Sequence, residues 1–276
     1  MAGLMASLMS SRQGRYGLIL VSSIMALIIA GPYFAPFDPT AVNLAPARAS
    51  ISAVHWLGTD GLGRDVLSRL LCGGQSIVVL PLVSVSIGYV LAGTLTVYAS
   101  YKGGVIDSLV TRVFEVLMTF PTLLKTLLFV AAFGAHTWVL ITSLVISTMP
   151  GANRVVRGVV LDEVSRDYVW AAKTRGESLA YIIFSELIPN ILGPVAADYS
   201  LRITWAIIAL STLSFLGLGV QPPTPDWGLM IQEARASLQD NPWAALVPAL
   251  AIGALSLGFS FLADAISAHW DSPAKR

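Results

Sequence analysis

Long uncharged, apolar stretches divide the chain, and short segments between them carry most of its Lys, Arg, Asp and Glu residues. An ionisable side chain at the centre of a bilayer costs a few kcal/mol, so uncharged stretches indicate where lipid can surround the chain. A helix needs about 20 residues to cross the hydrocarbon layer. Five uncharged runs reach that length: Tyr16 to Phe37, Leu70 to Tyr101, Thr126 to Asn153, Ile203 to Pro225 and Asn241 to Ala263.

Six transmembrane helices are predicted from these runs. The third run has a turn signal at Gly134-Ala135-His136, so it holds the end of one helix and the start of the next. The predicted spans cover residues 17–36, 76–99, 106–133, 137–156, 194–215 and 243–263. Pro121 favours a kink in the third span, because proline has no backbone N–H. The alternative for the first span is a signal peptide, but Gly31 to Phe34 lack a small-residue cleavage site.

The composition agrees with a membrane protein and excludes other classes. Of 276 residues, 55% are hydrophobic and 12% are charged, whereas a soluble domain carries about 25% charged residues. A net charge of +1 gives no basic surface for nucleic acid. The single cysteine, Cys72, excludes an internal disulfide and a cysteine-built zinc site. His136 and His269 are too isolated to suggest a metal site.

The distribution of Lys and Arg predicts which helix ends face the cytoplasm, since short cytoplasmic loops are rich in both. Most of them lie inside when the N-terminus is inside. This orientation gives cytoplasmic tails at 1–15 and 271–276 around one transmembrane domain at 16–270. External segments are then expected at 38–75 and 216–242, and a large cytoplasmic segment, hereafter the hairpin, at 162–190.

The hairpin is the most charge-dense stretch of the chain, yet its apolar residues recur at helical spacing. Two short amphipathic helices are predicted, with Gly176 between them, because glycine adopts the positive φ of a sharp turn. Pro189 is expected to end the second helix. Such a hairpin is either a helical loop on the bilayer surface or a docking element for a groove on another protein. In the second case Tyr168 and Trp170 are the expected contact anchors.

Several sequence blocks carry a resemblance to a known family. Ala171-Ala172, Gly176 and Pro189 reproduce the spacing of the EAA loop of bacterial ATP-binding-cassette importer permeases. Further blocks occur in family order: His55 to Asp60, Gly63 to Arg69, Phe120 to Leu124, Leu213 to Gly219 and Val220 to Gly228. Over about residues 16–270 the chain resembles the C-type permease subunit of the dipeptide, oligopeptide and nickel importer family.

The resemblance implies an all-α membrane protein of the bacterial inner membrane, with six transmembrane helices and the type I importer permease fold. It implies a homologous B-type permease, two cytoplasmic ATPase subunits and an external solute-binding protein as partners. The solute is expected to be a peptide or a related small molecule. ATP and Mg²⁺ would be bound by the ATPase subunits, so no cofactor or metal is expected in this chain.

The resemblance also assigns the ATPase-coupling role to residues of the hairpin. They are Asp167, Tyr168, Trp170, Ala171, Ala172, Gly176, Glu177 and Pro189. Two residues depart from the family pattern. Trp170 stands where the glutamate of EAA is usual, and Glu186 stands where an aliphatic residue or histidine is usual.

The chain is not expected to be an enzyme. Its four lysines follow Tyr101, Leu124, Ala172 and Ala274, so no Gly-Lys pair of a P-loop exists. Energy for active transport must come from another chain or from an ion gradient. An ion-coupled secondary transporter is the main alternative, although it would leave the hairpin unexplained. An intramembrane enzyme would need a nucleophile or metal motif, and neither HExxH nor GxSxG is present.

Charged residues inside the predicted spans are candidates for the translocation path. Asp198 and Arg202 are four residues apart, and Arg112 and Glu115 are three apart, so each pair shares a helix face. These are either self-neutralised pairs or, for Asp198 and Arg202, a gate on the path. Lys125 has no acid at helical spacing. It either attracts an anionic solute such as a peptide carboxylate, or reaches the outer surface or an acid of the partner permease.

The external segments contain a candidate docking surface for a binding protein. Residues 60–69 are expected to form a short helix with Asp65 and Arg69 four residues apart. Asp60, Arg64, Asp65 and Trp227 are the predicted contact residues. The alternative is a lid that only seals the outer vestibule.

Overall fold

A computed structural model describes residues 8–270, which form a bundle of helices. The long helices are α1 (Arg12–Phe34), α3 (Gly74–Lys102), α6 (Thr137–Val164), α9 (Ile188–Phe215) and α11 (Trp243–Trp270). The shorter ones are α2 (Val66–Cys72), α4 (Gly104–Met118), α5 (Thr122–Phe133), α7 (Asp167–Thr174), α8 (Leu179–Tyr181) and α10 (Trp227–Glu233). The predicted tail 271–276 and residues 1–7 of the other predicted tail lie outside the described residues.

The predicted spans correspond to these helices, with one marked difference. Five helical segments are long and apolar enough to cross a membrane, and α4 with α5 makes a sixth if the pair is counted as one span. That pair is bent by 80° where α4 ends and Pro121 precedes α5. The expected kink at Pro121 is therefore a full break of the helix, since the missing N–H leaves the preceding turn without its hydrogen bond.

The expectation for Pro189 was wrong. A π-helical turn, Ile182–Leu187, joins α8 directly to α9, and Pro189 lies in the first turn of α9. In the π-helical turn the Ile188 N–H donates to the Ile183 carbonyl, so the helix continues with a local shift of its bonding pattern. The second helix of the hairpin thus becomes a membrane span.

The core lies where α3 packs on α6 and α9 packs on α11. Its fully buried side chains are apolar: Ile77, Leu140, Leu144, Ile207, Leu210 and Leu255. Helix α1 lies against α11 through glycines, and a Cβ on Gly17 would stand 3.0 Å from the Gly258 carbonyl oxygen. Small residues at such a crossing let two membrane helices approach closely.

The two segments predicted to be external, 38–75 and 216–242, fold against the ends of the helices. Helix α2 begins only at Val66, and Asp65 caps it by accepting a hydrogen bond from the Ser68 N–H. The prediction of a helix starting at Asp60 was wrong. Residues 60–64 form a turn in which the Leu62 and Arg64 N–H groups donate to Asp60 Oδ1. Helix α10 continues into a 3₁₀ turn, Ala234–Ser237.

Candidate functional site

The hairpin turn follows from the conformation of Gly176. Helix α7 ends in a Schellman arrangement, in which the Glu177 N–H donates to the Ala172 carbonyl and the Gly176 N–H donates to the Lys173 carbonyl. Gly176 has φ +75°, the left-handed conformation that favours glycine. Ser178 then caps the next helix through the Tyr181 N–H, at 3.2 Å. The predicted turn at Gly176 is confirmed.

An apolar cluster holds the hairpin against the membrane helices. Val169 and Ala172 of α7 pack on Ile182 and Leu187 of the π-helical turn, and all four are buried. Tyr101, in the last turn of α3, and Val164, at the end of α6, lie against this cluster. Because its buried side is in contact with several helices, α7 is placed firmly relative to the bundle.

Tyr168 fastens the two sides of the hairpin with hydrogen bonds. Its hydroxyl donates to Glu163 Oε2 at 2.6 Å and accepts from Asn190 Nδ2 at 3.2 Å. Burial and the Glu163 carboxylate raise the pKa of Tyr168 to about 12, so the phenol stays a donor at physiological pH. The predicted anchor residue Tyr168 thus acts inside the chain, and it connects the end of α6 to the start of α9.

The opposite face of α7 is not covered by any residue from 8 to 270. It carries Asp167, Trp170 and Ala171, and Arg175 follows at the end of the helix; all four are exposed, and Trp170 is 57% exposed. Lys173 Nζ lies 4.8 Å from the ring centroids of both Trp170 and Tyr101, a geometry typical of cation–π attraction. An exposed indole held by a cation on a firmly seated helix is a ready contact surface for another protein.

Glu186, one of the two departures from the family pattern, has a partner within the hairpin. Its Oε1 lies 3.8 Å from Arg175 Nη2, and Arg175 Nε lies 3.5 Å from Glu177 Oε1. Arg175 therefore joins the end of α7 to the following helix. Both pairs are partly exposed, so each contributes only about 0–1 kcal/mol to stability.

Lys125 satisfies a backbone group left free by the break between α4 and α5. In an unbroken helix the N–H of residue 121 would bond the Leu117 carbonyl, but Pro121 has none. Lys125 Nζ donates to that carbonyl at 3.2 Å, and the residue is 8% exposed. The ammonium expected to lack a partner thus has a backbone acceptor, and it supports the broken helix. Its predicted contact with solute stays a prediction.

Asp198 and Arg202 form the ion pair that their spacing predicted. Arg202 Nε donates to Asp198 Oδ2 at 3.0 Å. The Tyr89 hydroxyl of α3 donates to the same carboxylate oxygen, and Tyr199 shares a hydrogen bond of 2.8 Å with Ser86. Sequence spacing could not identify Tyr89, because it lies 109 residues from Asp198. The group ties α3 to α9 through polar contacts within the membrane region.

A second polar link ties α4 to α6. Arg157 donates to both carboxylate oxygens of Asp107, with Nε–Oδ1 2.9 Å and Nη2–Oδ2 2.6 Å. Ser100 adds a hydrogen bond to Oδ1 at 3.3 Å. This bidentate arrangement fixes orientation as well as distance. Spacing along the sequence could not pair these two residues, because they are 50 residues apart.

Arg112 and Glu115, also on α4, form an exposed ion pair. They are 3.9 Å apart, with side chains 81% and 59% exposed. Only Asp107 and Phe114 of α4 are buried, and most of its large apolar side chains are exposed. This face of α4 has little cover from the described part of the chain.

The external segments enclose a network of four charged side chains, hereafter the outer network: Asp60, Arg64, Arg69 and Glu233. Arg64 Nη2 and Arg69 Nη2 donate to Glu233 Oε2 at 2.7 and 2.8 Å. Arg64 Nε donates to Asp60 Oδ2 at 2.6 Å. Burial alone would lower the pKa of Arg64. The hydrogen bonds and charges of Glu233 and Asp60 outweigh burial and raise this pKa.

All four residues predicted to dock a binding protein have internal partners. Asp60 and Arg64 belong to the outer network and are 5% and 4% exposed. Asp65, fully buried, caps α2 and lies 2.9 Å from His55 Nδ1. Trp227, also fully buried, donates from Nε1 to the Leu70 carbonyl at 2.8 Å. These side chains hold segments 38–75 and 216–242 together, and their contact with a binding protein stays a prediction.

Within residues 8–270 no group of three or more His, Cys, Asp or Glu side chains is arranged to hold a metal ion. The carboxylates described above are instead bound by arginine, histidine or hydroxyl groups.

Comparisons with known proteins identify a family and individual relatives of this chain. Residues 78–272 match the family described as "Binding-protein-dependent transport system inner membrane component". The chain is 32% identical to the dipeptide transport system permease protein DppC of Haemophilus influenzae, covering 96% of this chain and 92% of DppC. It is 36% identical to the glutathione transport system permease protein GsiD of Escherichia coli, covering 90% and 81%.

A solved structure shares the fold. Inward-facing conformations of the MetNI methionine ABC transporter include a chain that superimposes with a TM-score of 0.59 at 15% identity. The match covers 74% of this chain and 97% of the MetNI chain. At this identity the similarity shows the fold alone.

Proposed function

The chain belongs to the family of binding-protein-dependent transport inner membrane components, and from this premise we propose that it forms half of the path of a peptide importer. It is a multi-pass permease subunit of an ATP-binding-cassette importer and does not itself catalyse a reaction. Our proposal adds the site of energy coupling, the second permease and the solute class.

The observation that carries the coupling proposal is the two-sided character of α7. Its buried side, with Val169 and Ala172, is seated on helices that continue into the membrane, while Trp170 and Ala171 face outward. A cytoplasmic ATPase subunit that binds the outer side would move α7 as a unit. Tyr168 and the π-helical turn would carry that movement to α6 and α9. ATP and Mg²⁺ would be bound by the ATPase subunits, and the hairpin end would face the cytoplasm together with the N-terminus.

The uncovered face of α4 supports a second permease as partner. A charged pair such as Arg112 and Glu115 is unfavourable against hydrocarbon and faces protein or a water-filled cavity in membrane proteins. We propose that a homologous permease packs on α4 and α5 and that the path lies between the two chains. Pro121, Asp198 and Arg202 are the path positions predicted from the sequence, and an external binding protein would deliver the solute.

The solute class is proposed from the relatives. Proteins 32% to 36% identical to this chain carry the names of dipeptide or glutathione permeases, and glutathione is itself a small peptide. We therefore propose di- or oligopeptides as the solute. The ligand that co-purifies with the external binding protein, identified by mass spectrometry, is expected to be a short peptide.

An exposed alanine on each side of the membrane allows a matched test of coupling. Ala171→Arg places a large cation on the outer face of α7, whereas Ala53→Arg does the same on an external loop. In the assembled importer, Ala171→Arg is expected to release the ATPase subunits and lower vanadate-sensitive dialanine uptake at least about tenfold, the effect of losing one good contact. Ala53→Arg should leave both unchanged.

The result that would contradict the proposal is uptake by this chain alone that follows a proton gradient and does not respond to vanadate. That behaviour would identify an ion-coupled transporter. Equal ATPase binding by the Ala171→Arg and Ala53→Arg variants would reject the hairpin as the coupling element while leaving the family assignment intact.

A further inference from the structure

A cavity of about 450 Å³ lies between α5, α6 and α9. Its volume is in the range of sites that hold small molecules. Most of its wall is apolar, and polar groups come from Arg202 of α9, from Ser147 and Thr148 of α6, and from hydroxyls at either end. Arg202 lies 14 residues after Ile188 and 13 before Phe215, so about 20 Å of helix extends to each side. The cavity therefore lies beside the middle of α9, in a helical segment long and apolar enough to cross a membrane.

The guanidinium of Arg202 packs directly against Gly151 of α6. A Cβ on Gly151 would lie 2.1 to 2.6 Å from Nη1, Cζ and Nη2 of Arg202. The guanidinium group thus rests on the backbone of α6. Asp198 Oδ2 accepts a hydrogen bond from the Arg202 Nε–H, and the two terminal nitrogens lie outside that hydrogen bond. Gly151 and Asp198 together fix the guanidinium at the cavity wall.

Ser147 lines the same cavity. Its Oγ is buried in the wall and makes no hydrogen bond. Neighbouring hydroxyls of α6 bond to their own helix, since Ser143 donates to the Leu140 carbonyl and Thr148 donates to the Leu144 carbonyl. A buried polar atom with no partner is uncommon in native structures and calls for an explanation.

The other cation of the region already has a hydrogen-bond acceptor, since Lys125 on α5 donates to the Leu117 carbonyl. Arg202 is therefore the basic group that lines this cavity. Asp198 balances the charge of Arg202, which lowers the free-energy cost of this charge in the membrane when no solute is bound.

We propose that Arg202 and Ser147 form a mid-membrane subsite for a carboxylate group of the passing solute. The planar guanidinium suits a carboxylate, with the terminal nitrogens as donors. The Ser147 hydroxyl, which is buried in the wall without a partner, would turn toward the carboxylate as a further donor. The apolar wall receives the adjoining side chain. The assignment of this carboxylate to a peptide rests on the proposed function. The anion preference of the cavity is independent of the proposed function.

Cysteine labelling tests the anion preference without requiring transport. Cys72 is the single cysteine, so Cys72→Ser gives a background for Ser147→Cys in the assembled importer. The probes are an anionic sulfonatoethyl and a cationic trimethylammonioethyl methanethiosulfonate, each normalised to the exposed position Ala53→Cys. The anionic reagent is expected to react about tenfold faster at position 147, the value of one charge-assisted hydrogen bond. Acetate should slow that reaction, and acetamide should not.

The double variant Asp198→Asn with Arg202→Gln is the matched control. It keeps a neutral hydrogen-bonding pair in place of the ion pair, so a purely structural role is preserved while the cation is lost. The anion preference should then disappear. Ala206→Cys, which lines the same cavity, repeats the measurement if Ser147→Cys does not assemble.

Three results would overturn the proposal. They are equal rates for the two reagents in the parent background, no reaction at position 147 or 206, and a preference that survives in the double variant. Vanadate-sensitive dialanine uptake, measured separately, reports on the proposed function. An anion preference without peptide uptake would keep the subsite and reject the peptide assignment.

Discussion

The outer network and the hairpin use charged and aromatic residues in opposite ways. In the outer network Arg64 and Arg69 are 4% and 1% exposed, and each meets a carboxylate within the chain. In the hairpin Trp170 is 57% exposed, and the Arg175 side chain, 53% exposed, makes only loose pairs. The first region is complete within one chain, whereas the second leaves a surface uncovered.

The difference shows how to separate stability from coupling in this protein. A buried charge that loses its partner stays desolvated, so changes in the outer network affect the free energy of unfolding. An exposed side chain makes few contacts within its own chain, so changes there affect binding to another subunit. The following substitutions test this contrast, from the largest expected effect to the smallest.

Glu233→Ala should have the largest effect on stability. Glu233 is the shared acceptor of Arg64 and Arg69, and its loss leaves two buried cations with fewer partners. The expected loss is about 3–5 kcal/mol, measured by denaturation of the purified complex in mixed micelles. The control is Asp240→Ala, which removes an exposed pair with Arg48 at 3.9 Å and should cost less than about 1 kcal/mol. Similar losses for the two variants would remove the distinction between buried and exposed pairs.

Trp170→Ala should leave folding intact and weaken subunit binding. The expected change in unfolding free energy is within about 0.5 kcal/mol, because the indole is largely exposed. Affinity for the ATPase subunits should fall about 30-fold, as for an aromatic residue that dominates an interface. Trp56→Ala is the matched control, since Trp56 is 68% exposed and lies outside the hairpin. Equal affinities of the two variants, measured by co-purification titration, would show that the hairpin is not the contact surface.

Gly176→Ala should have a smaller effect that arises from backbone conformation alone. No atom stands within 4 Å of a Cβ built on Gly176 or on Gly158, and only Gly176 has positive φ. The alanine at 176 should cost about 1 kcal/mol and loosen the hairpin, seen as faster hydrogen exchange in α7. Gly158→Ala lies within α6 and should be neutral or stabilising by up to about 1 kcal/mol. Unchanged exchange in α7 would mean that the turn does not depend on this glycine.

Local features of the hairpin and the spans were predictable from the sequence. The uncharged runs predicted the long helices, and Gly176 predicted the turn, because a helix end and a left-handed glycine are decided by neighbouring residues. Pro121 predicted a kink but not its size, since an 80° break also needs a group to satisfy the freed carbonyl, which Lys125 provides. Pro189 was misread because a π-helical turn allowed the helix to continue.

The sequence by itself determined the membrane spans, the hairpin and the family, because the cost of charge in lipid and the conformations of glycine and proline act over a few residues. Only the tertiary structure decided the partners of the charged groups. Glu233 meets Arg69 across 164 residues, and Asp198 meets Tyr89 across 109. Such pairs form because buried charges need partners, and helix packing alone brings those partners within hydrogen-bond distance.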